Sequence, residues 1–410
     1  MLILSVLLSA LGLVLLIPVL WFCIQVLCAC LAIASHRRSP GHSLSNQHLQ
    51  SVPNEKPLHV AILIPAHNES IHLVPTLQSI QAQACPRLRI LVVADNCTDD
   101  TARIARTHGA EVIERINPRL RGKGYALDFG VRHLAGHPPD VVIILDADCL
   151  LEQGTLHCLA SATVATGRPV QALYLMGNPD KTAAGVKARI AEFAWRVKNH
   201  ARPLGLHLLG LPCQLTGSGM AFPWHVLQGV PLATGEIVED MKLGVMLAER
   251  GYAPVFCEQA LVVSSFPTNA EAVKSQRTRW EHGHLAMIFR EGLPKLAHGL
   301  LRRDRALFFL ALDLCIPPLA LLVMLSALWA VLASLYAVFS GDLRLPALAG
   351  TGFMLLAISV SLAWHSFGRD VISAQELLKA PVYILSKLSL YAGFLVRRQV
   401  DWVRSRRDDE

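Results

Sequence analysis

No charged side chain occurs from Met1 to Ser35, and His36, Arg37 and Arg38 follow at once. About 20 apolar residues cross a bilayer as a helix, so this run is long enough with residues to spare. A cleaved leader is the competing reading. It would call for a basic start and a small-residue cleavage site after a short apolar core, and this run has neither. The arginines stand after the segment, which predicts residue 36 onward in the cytosol and the N-terminus outside.

A second apolar block follows Arg302, Arg303 and Arg305. Ala306 to Ser340 is apolar except for Asp313, with Pro317 and Pro318 placed to kink it. After the polar link Gly341 to Arg344, another apolar run extends from Leu345 to Phe367, so the pair reads as a hairpin returning to the cytosol at Arg369. Asp313 admits two readings: an intramembrane functional site, or a group reached by water or headgroups near the cytoplasmic end. From Glu376 to Val396, apolar residues mix with Lys379 and Lys387, and arginines follow at 397, 398, 404, 406 and 407. That pattern suits an interfacial or re-entrant helix better than a further crossing. Three crossings are expected, with a fourth as the alternative.

Composition agrees with a chain partly in lipid. Hydrophobic residues make up 52 % and charged residues 17 %, with a mean hydropathy of +0.40, which a soluble protein seldom shows. The net charge is +7, and much of the basic excess flanks the apolar runs. This points to anionic headgroups of membrane lipids as partners. No basic helix with interleaved aromatics appears, so no nucleic-acid partner is expected. The ten cysteines form no CxxC pair, so they read as reduced thiols rather than as a zinc or redox motif.

The middle of the chain has a different period. Residues 39–57 are rich in Ser, Pro, His and Asn, as a linker should be. Beyond them, Val60–Ile64, Ile90–Ala94 and Val141–Leu145 are short, fully apolar runs. They are separated by helical spacings at Ile71–Gln83, Thr101–His108, Gly124–Leu134 and Gln153–Thr166. Buried strands alternating with helices predict an α/β domain with a mainly parallel sheet covered on both faces. Ligands of such sheets collect beyond the carboxyl ends of the strands.

Polar residues stand where that rule points. Pro65-Ala66-His67-Asn68-Glu69 follows the first strand and Asp95-Asn96-Cys97-Thr98-Asp99-Asp100-Thr101 the second. Each could be only a helix cap, whereas together they could form a crevice for a base and ribose. Arg121-Gly122-Lys123-Gly124 precedes a helix and is either a solvated loop or a pyrophosphate cradle. Asp146-Ala147-Asp148 ends the third strand, and crowding two carboxylates there is costly unless a cation relieves it. Mg²⁺ or Mn²⁺, bound by one or two carboxylates and substrate phosphates, would do so. Glu239-Asp240 opens a helical stretch, as favourable N-terminal acidity or as a general base. Gln276-Arg277-Thr278-Arg279-Trp280 fits an exposed amphipathic helix, or a clamp for a diphosphate and a sugar.

These elements, in this order over roughly residues 58 to 285, resemble glycosyltransferase family 2. The resemblance is to its membrane-bound branch, related to cellulose, hyaluronan and chitin synthases and to ceramide glucosyltransferases. It implies a GT-A-like, nucleotide-sugar-binding domain flanked by transmembrane helices, a Mg²⁺ or Mn²⁺ cofactor, and direct inversion at the anomeric carbon. By the same resemblance, Pro65, Glu69, Asp95 and Lys123 would surround the nucleotide. Asp146 and Asp148 would serve donor and metal, with Asp148 the direct ligand. Asp240 beside Glu239 would deprotonate the acceptor hydroxyl. Gln276, Arg279 and Trp280 would cover the diphosphate and border the acceptor. Two departures bear on polymer synthesis: Val238 stands where the synthases usually have threonine, and Leu215-Thr216-Gly217-Ser218-Gly219 replaces their Phe-Cys-Gly-like stretch.

The chain is thus expected to comprise an N-terminal transmembrane helix (1–35), a linker (36–57), a catalytic domain (58–285) and an amphipathic connector (286–305). A transmembrane hairpin (306–368) and an interfacial or re-entrant helix with a basic tail (369–410) complete it. The expected activity is transfer of a sugar from a nucleotide-sugar, with UDP the favoured nucleotide, to a lipid-linked or glycan acceptor in glycan or exopolysaccharide synthesis. The catalytic domain is expected on the cytoplasmic side of the inner or plasma membrane. A processive polysaccharide synthase and a non-catalytic membrane scaffold are the alternatives.

Overall fold

The computed structural model describes residues 2–38, 58–83, 85, 87–179 and 184–396. Of the expected linker (36–57), residues 39–57 lie outside them, as does the basic tail at 397–410, and residues 36–38 continue the N-terminal helix. The described chain divides into two compact units. One comprises the apolar helices together with residues 184–210, and the other most of residues 58–179 and 211–283.

The second unit is built on an eight-stranded sheet. Its strands are β1 (Val60–Ala66), β2 (Leu88–Asp95), β3 (Glu111–Arg115), β4 (Val141–Ile144), β5 (Leu150–Leu151), β6 (Val170–Gly177), β7 (Met220–Pro223) and β8 (Val255–Ser265). They lie in the order β3-β2-β1-β4-β7-β6-β8-β5. β3, β2, β1 and β4 are parallel; β7 runs antiparallel to β4 and β6, and β6 is parallel to β8. The sheet is therefore mixed, with a parallel half of four strands, three of which are the apolar runs that the sequence singles out. Their full burial is why they read as continuous rather than alternating hydrophobics.

The helices between them are Leu73–Gln81, Thr101–Thr107, Lys123–Leu134 and Thr155–Thr166, each within a few residues of its expected span. Leu127, Val131 and Leu134 of the third pack with Leu63, Leu91, Val93 and Phe222 in one buried core. The chain runs outward from β1 through β2 to β3, then returns to place β4 on the other side of β1. That reversal opens a crevice beyond the carboxyl ends of β1 and β4, immediately before Asp146.

The first unit contains three helices long and apolar enough to cross a membrane, at Ile3–Ser35, Leu319–Ser340 and Arg344–Phe367. The apolar block after Arg305 is broken, as its prolines require: one helix ends at Leu314, and the next, long apolar helix starts at Leu319. Residues 374–396 form three short helices, Ala374–Leu377, Ala380–Leu385 and Leu388–Val396, rather than one continuous helix. Pro381 stands near the first break.

Asp313 sits in a closed polar cluster. Arg202 donates to its carboxylate at 2.7 Å and to its carbonyl at 3.0 Å. Gln25, from the N-terminal helix, donates to the same carboxylate at 2.6 Å and accepts from the Arg202 Nε at 3.0 Å. Gln25 and Asp313 are buried. With its charge paired and its oxygens hydrogen-bonded, Asp313 ties three segments of this unit together.

Candidate active site

β4 runs out at Ile144, and Leu145-Asp146 continues along it, with the Leu145 amide donating to the Leu63 carbonyl of β1. The Asp146 amide donates to Ser218 Oγ at 3.1 Å, which fixes the carboxylate above the strand end. Lys123 enters the same space from the first turn of its helix. Its ammonium lies 2.5 Å from Asp146 Oδ1, donates to the Gly217 carbonyl at 2.6 Å and stands 3.7 Å from Glu239 Oε1. Gly217, at φ +91°, has the open side on which these groups meet. A Cβ there would be 3.4 Å from Asp240 Oδ2, 3.7 Å from Lys123 Nζ and 4.0 Å from Asp146 Oδ2. Three charged residues from three separate stretches thus surround one glycine, and Glu239 joins them through Lys123.

Electrostatics follow from that crowding. Burial pushes the Asp146 carboxyl up; Lys123 opposes the rise, while Asp148 and Asp240 add to it. Burial likewise raises Glu239 to about 7, against the pull of Lys123 and with the push of Asp240 and Asp146. Burial alone would lower Lys123, but the charges of Asp146, Glu239 and Asp240 outweigh it and hold the ammonium protonated. Burial also lowers the Arg279 guanidinium, and Glu239 and Asp146 oppose this, which puts Arg279 within electrostatic reach of both carboxylates.

Glu239 and Asp240 form the first turn of the helix Glu239–Glu249. Gln276, Arg279 and Trp280 share one face of the helix Ala270–Met287, at spacings of three and four residues. Gly283 on that helix closes against the loop before Glu239, where a Cβ would lie 2.8 Å from Val238 Cγ1. That contact seats the arginine-bearing helix on the turn that carries the acids.

The Asp95 carboxylate is held by Arg115 at 2.5 Å and by Asn96 at 3.0 Å, so its hydrogen bonds go first to the protein. Arg115 also lies 5.4 Å over the Tyr125 ring. Pro65 stands near the end of β1. Glu69 lies in the loop beyond it, its amide bonded to Thr101 Oγ1 at 2.8 Å. Asn68 and Asn96 take φ of 54° and 53°, the left-handed region that asparagine tolerates, and so turn both loops sharply at adjacent strand ends.

Some participants carry no signal in the sequence. Gln171, the second residue of β6, donates to the Ser218 carbonyl and accepts from the Thr216 amide, each at 2.9 Å. It thereby sets the loop that presents Gly217 and Ser218. Nothing about a buried glutamine in an apolar strand announces that role.

Among the described residues, no group of three or more His, Cys, Asp or Glu side chains is gathered to hold a metal ion. Two neighbouring carboxylates nevertheless fit a Mg²⁺ or Mn²⁺ that takes its other ligands from phosphate oxygens and water. The donors are hard oxygens, and the negative charge crowded around Asp146 is what a cation would relieve. Asp148, with Asp146, would hold it.

The fold is GT-A-like: an α/β domain whose mainly parallel sheet ends in an acidic cluster at its switch point. The profile described as "Glycosyltransferase like family 2" matches residues 57–283, and the chain belongs to that family. An uncharacterized glycosyltransferase of Mycobacterium bovis is 38 % identical over 122 residues, 28 % of this chain and 51 % of the relative. The 4,4'-diaponeurosporenoate glycosyltransferase of Staphylococcus aureus is 35 % identical over 123 residues, 29 % of this chain and 30 % of that one. The chain spans about half the length, or less, of these curated relatives. Among solved structures, a mannosyltransferase of Pyrobaculum calidifontis in complex with GDP-Man and Mn²⁺ covers 92 % of this chain and 100 % of its own. Its TM-score is 0.50 at 17 % identity, a likeness of fold.

Proposed function

We propose that this protein is a membrane-bound, inverting glycosyltransferase. It moves a sugar from a nucleotide-sugar, UDP-linked by preference, onto a lipid-linked or otherwise membrane-associated acceptor in glycan or exopolysaccharide synthesis. The observation that carries this reading is the convergence of Lys123, Asp146, Glu239 and Asp240 around Gly217 at the sheet's switch point. Family membership and the GT-A-like fold support it. A relative named for a diaponeurosporenoate substrate, and three helices apolar enough to span a bilayer, support an apolar acceptor. The arginines after Ser35 favour a cytoplasmic catalytic domain at the inner or plasma membrane.

In this reading Asp240 takes the proton of the acceptor hydroxyl. The acceptor oxygen bonds to the anomeric carbon as the bond from that carbon to the diphosphate breaks, and the nucleoside diphosphate leaves with the electron pair. Arg279 and Lys123 offset the charge that builds on the leaving group. A divalent cation on Asp148 and Asp146 would add Lewis-acid stabilisation of the same phosphates. Pro65, Glu69 and Asp95 border the nucleotide, and Gln276 and Trp280 border the acceptor. With the donor held and the base placed, the reaction is a single in-line displacement.

The test is a screen of radiolabelled nucleotide-sugars with the purified full chain, Mn²⁺ and a lipid extract. The reading expects label in a lipid-soluble product of discrete size. A purely water-soluble product would overturn the lipid acceptor, a high-molecular-mass ladder would indicate processive synthesis, and no turnover of any donor would overturn the activity.

A further inference from the structure

Beside the carboxylate cluster lies a cavity of about 320 Å³, at the small end of the range for ligand sites. It opens between the helices Lys123–Leu134 and Glu239–Glu249, under the segment 231–234. Leu127, Met220, Leu243 and Met246 form its apolar wall, and Thr234, Glu239, Asp240 and Lys242 form a polar border. The segment over it seats directly on the first helix. A Cβ at Gly124 would come within 2.5 Å of the Leu232 carbonyl and 2.6 Å of that of Thr234, so only glycine allows this approach.

The chemistry of the walls selects the occupant. A sugar or a diphosphate placed against the apolar wall would give up its hydration for aliphatic and thioether contacts. A hydrocarbon would lose nothing and gain about fourfold in affinity per buried methylene. Because Asp240 belongs both to this wall and to the cluster around Gly217, an apolar group in the cavity lies next to the hydroxyl the base would deprotonate.

We infer that the cavity binds the hydrocarbon of the acceptor adjacent to its reacting hydroxyl, so that the acceptor is an amphiphile selected by its apolar portion. This rests on the transferase reading. Met246, which lines the cavity and is only partly buried, sets the depth available to that portion.

The experiment uses the full chain in phosphatidylcholine nanodiscs with n-alkyl β-D-glucosides, ethyl to decyl, as acceptor probes. Wild type should show an apparent KM falling by at least about tenfold from ethyl to octyl. Met246→Trp should abolish that dependence, and Met246→Ala should shift the preference to longer chains. The same chain-length dependence in all three proteins, with Met246→Trp merely raising Tm, would mean a packing void and overturn the inference. If Met246→Trp does not fold, the alanine variant decides. A decyl probe carrying a diazirine should label peptides containing Met220, Leu243 or Met246, in competition with octyl glucoside. Labelling confined to the helices at 3–35 and 319–367 would overturn the inference. Labelling of the cavity without nucleotide release from any donor would instead overturn the transferase reading and, with it, the assignment of the occupant as acceptor.

Discussion

Lys123 Nζ stands 2.5 Å from Asp146 Oδ1, joining the start of a helix to the end of the strand beside it. The same ammonium faces Glu239 at 3.7 Å and so holds two acidic segments toward each other. Without it, Asp146, Glu239 and Asp240 would be like charges sharing a buried space. Lys123→Met is therefore expected to lower donor turnover by about 10²-fold or more, the scale of losing a placed electrostatic group. Steady-state nucleotide release checks this. Lys123→Arg should recover only part of the loss, because a planar guanidinium cannot replace a compact ammonium donating to the Gly217 carbonyl.

Glu239 predicts a pH dependence of stability. Its carboxyl is raised from an ordinary 4.5 to about 7, so between those values the folded protein binds more protons than the unfolded chain. Stability from this group is fully present below pH 4.5 and is lost as pH rises through about 7. Thermal melts of wild type and Glu239→Gln across that window should converge on the acid side. On the alkaline side the variant should be the more stable of the two.

Chelation is expected to stop nucleotide release, and Mn²⁺ or Mg²⁺ to restore it, since the oxygens of Asp146 and Asp148 suit a hard divalent ion. Asp148→Asn should raise the Mn²⁺ concentration for half-maximal rate by about 10-fold or more, the scale seen when ligand sets are weakened. Metal titration of the rate measures both.

Asp313→Ala would strand the Arg202 guanidinium and the Gln25 amide in a buried site. Breaking such a pair costs about 3–5 kcal/mol, so the variant should lose yield and thermal stability in detergent. Arg202→Met with Asp313→Leu should recover part of the loss, because replacing both partners leaves no orphaned charge. A fluorescence-detected melt of the three proteins checks this.

The parts of the fold that were legible were those with a strong local period. Val60–Ala66, Ile90–Ala94 within β2, and Val141–Ile144 are largely buried and show as unbroken apolar runs. The three helices long and apolar enough to cross a membrane show by length and lack of charge. β3, Glu111–Arg115, is a half-exposed edge whose charged residues hide it. β7 and β8 take their places through long-range pairing that no local pattern encodes. At the site, Lys123, Asp146 and Glu239-Asp240 stood out because charge beside a buried strand or at a helix start needs a reason. Asp95 stood out equally, but its partner Arg115 lies on the next strand, and only the register of β2 with β3 brings them together. Gln171 contributes through side-chain hydrogen bonds to a distant loop, and Gly217 and Gly283 through backbone geometry and packing, none of which composition can reveal.

The most direct test of the central claim, that Asp240 is the base of a buried transferase site, is sugar transfer by Asp240→Asn with donor affinity measured in parallel. The account predicts transfer reduced by about 10²- to 10⁴-fold, the range for loss of a positioned general base, with nucleotide affinity nearly unchanged. Transfer at the wild-type rate, with the same product, would contradict it.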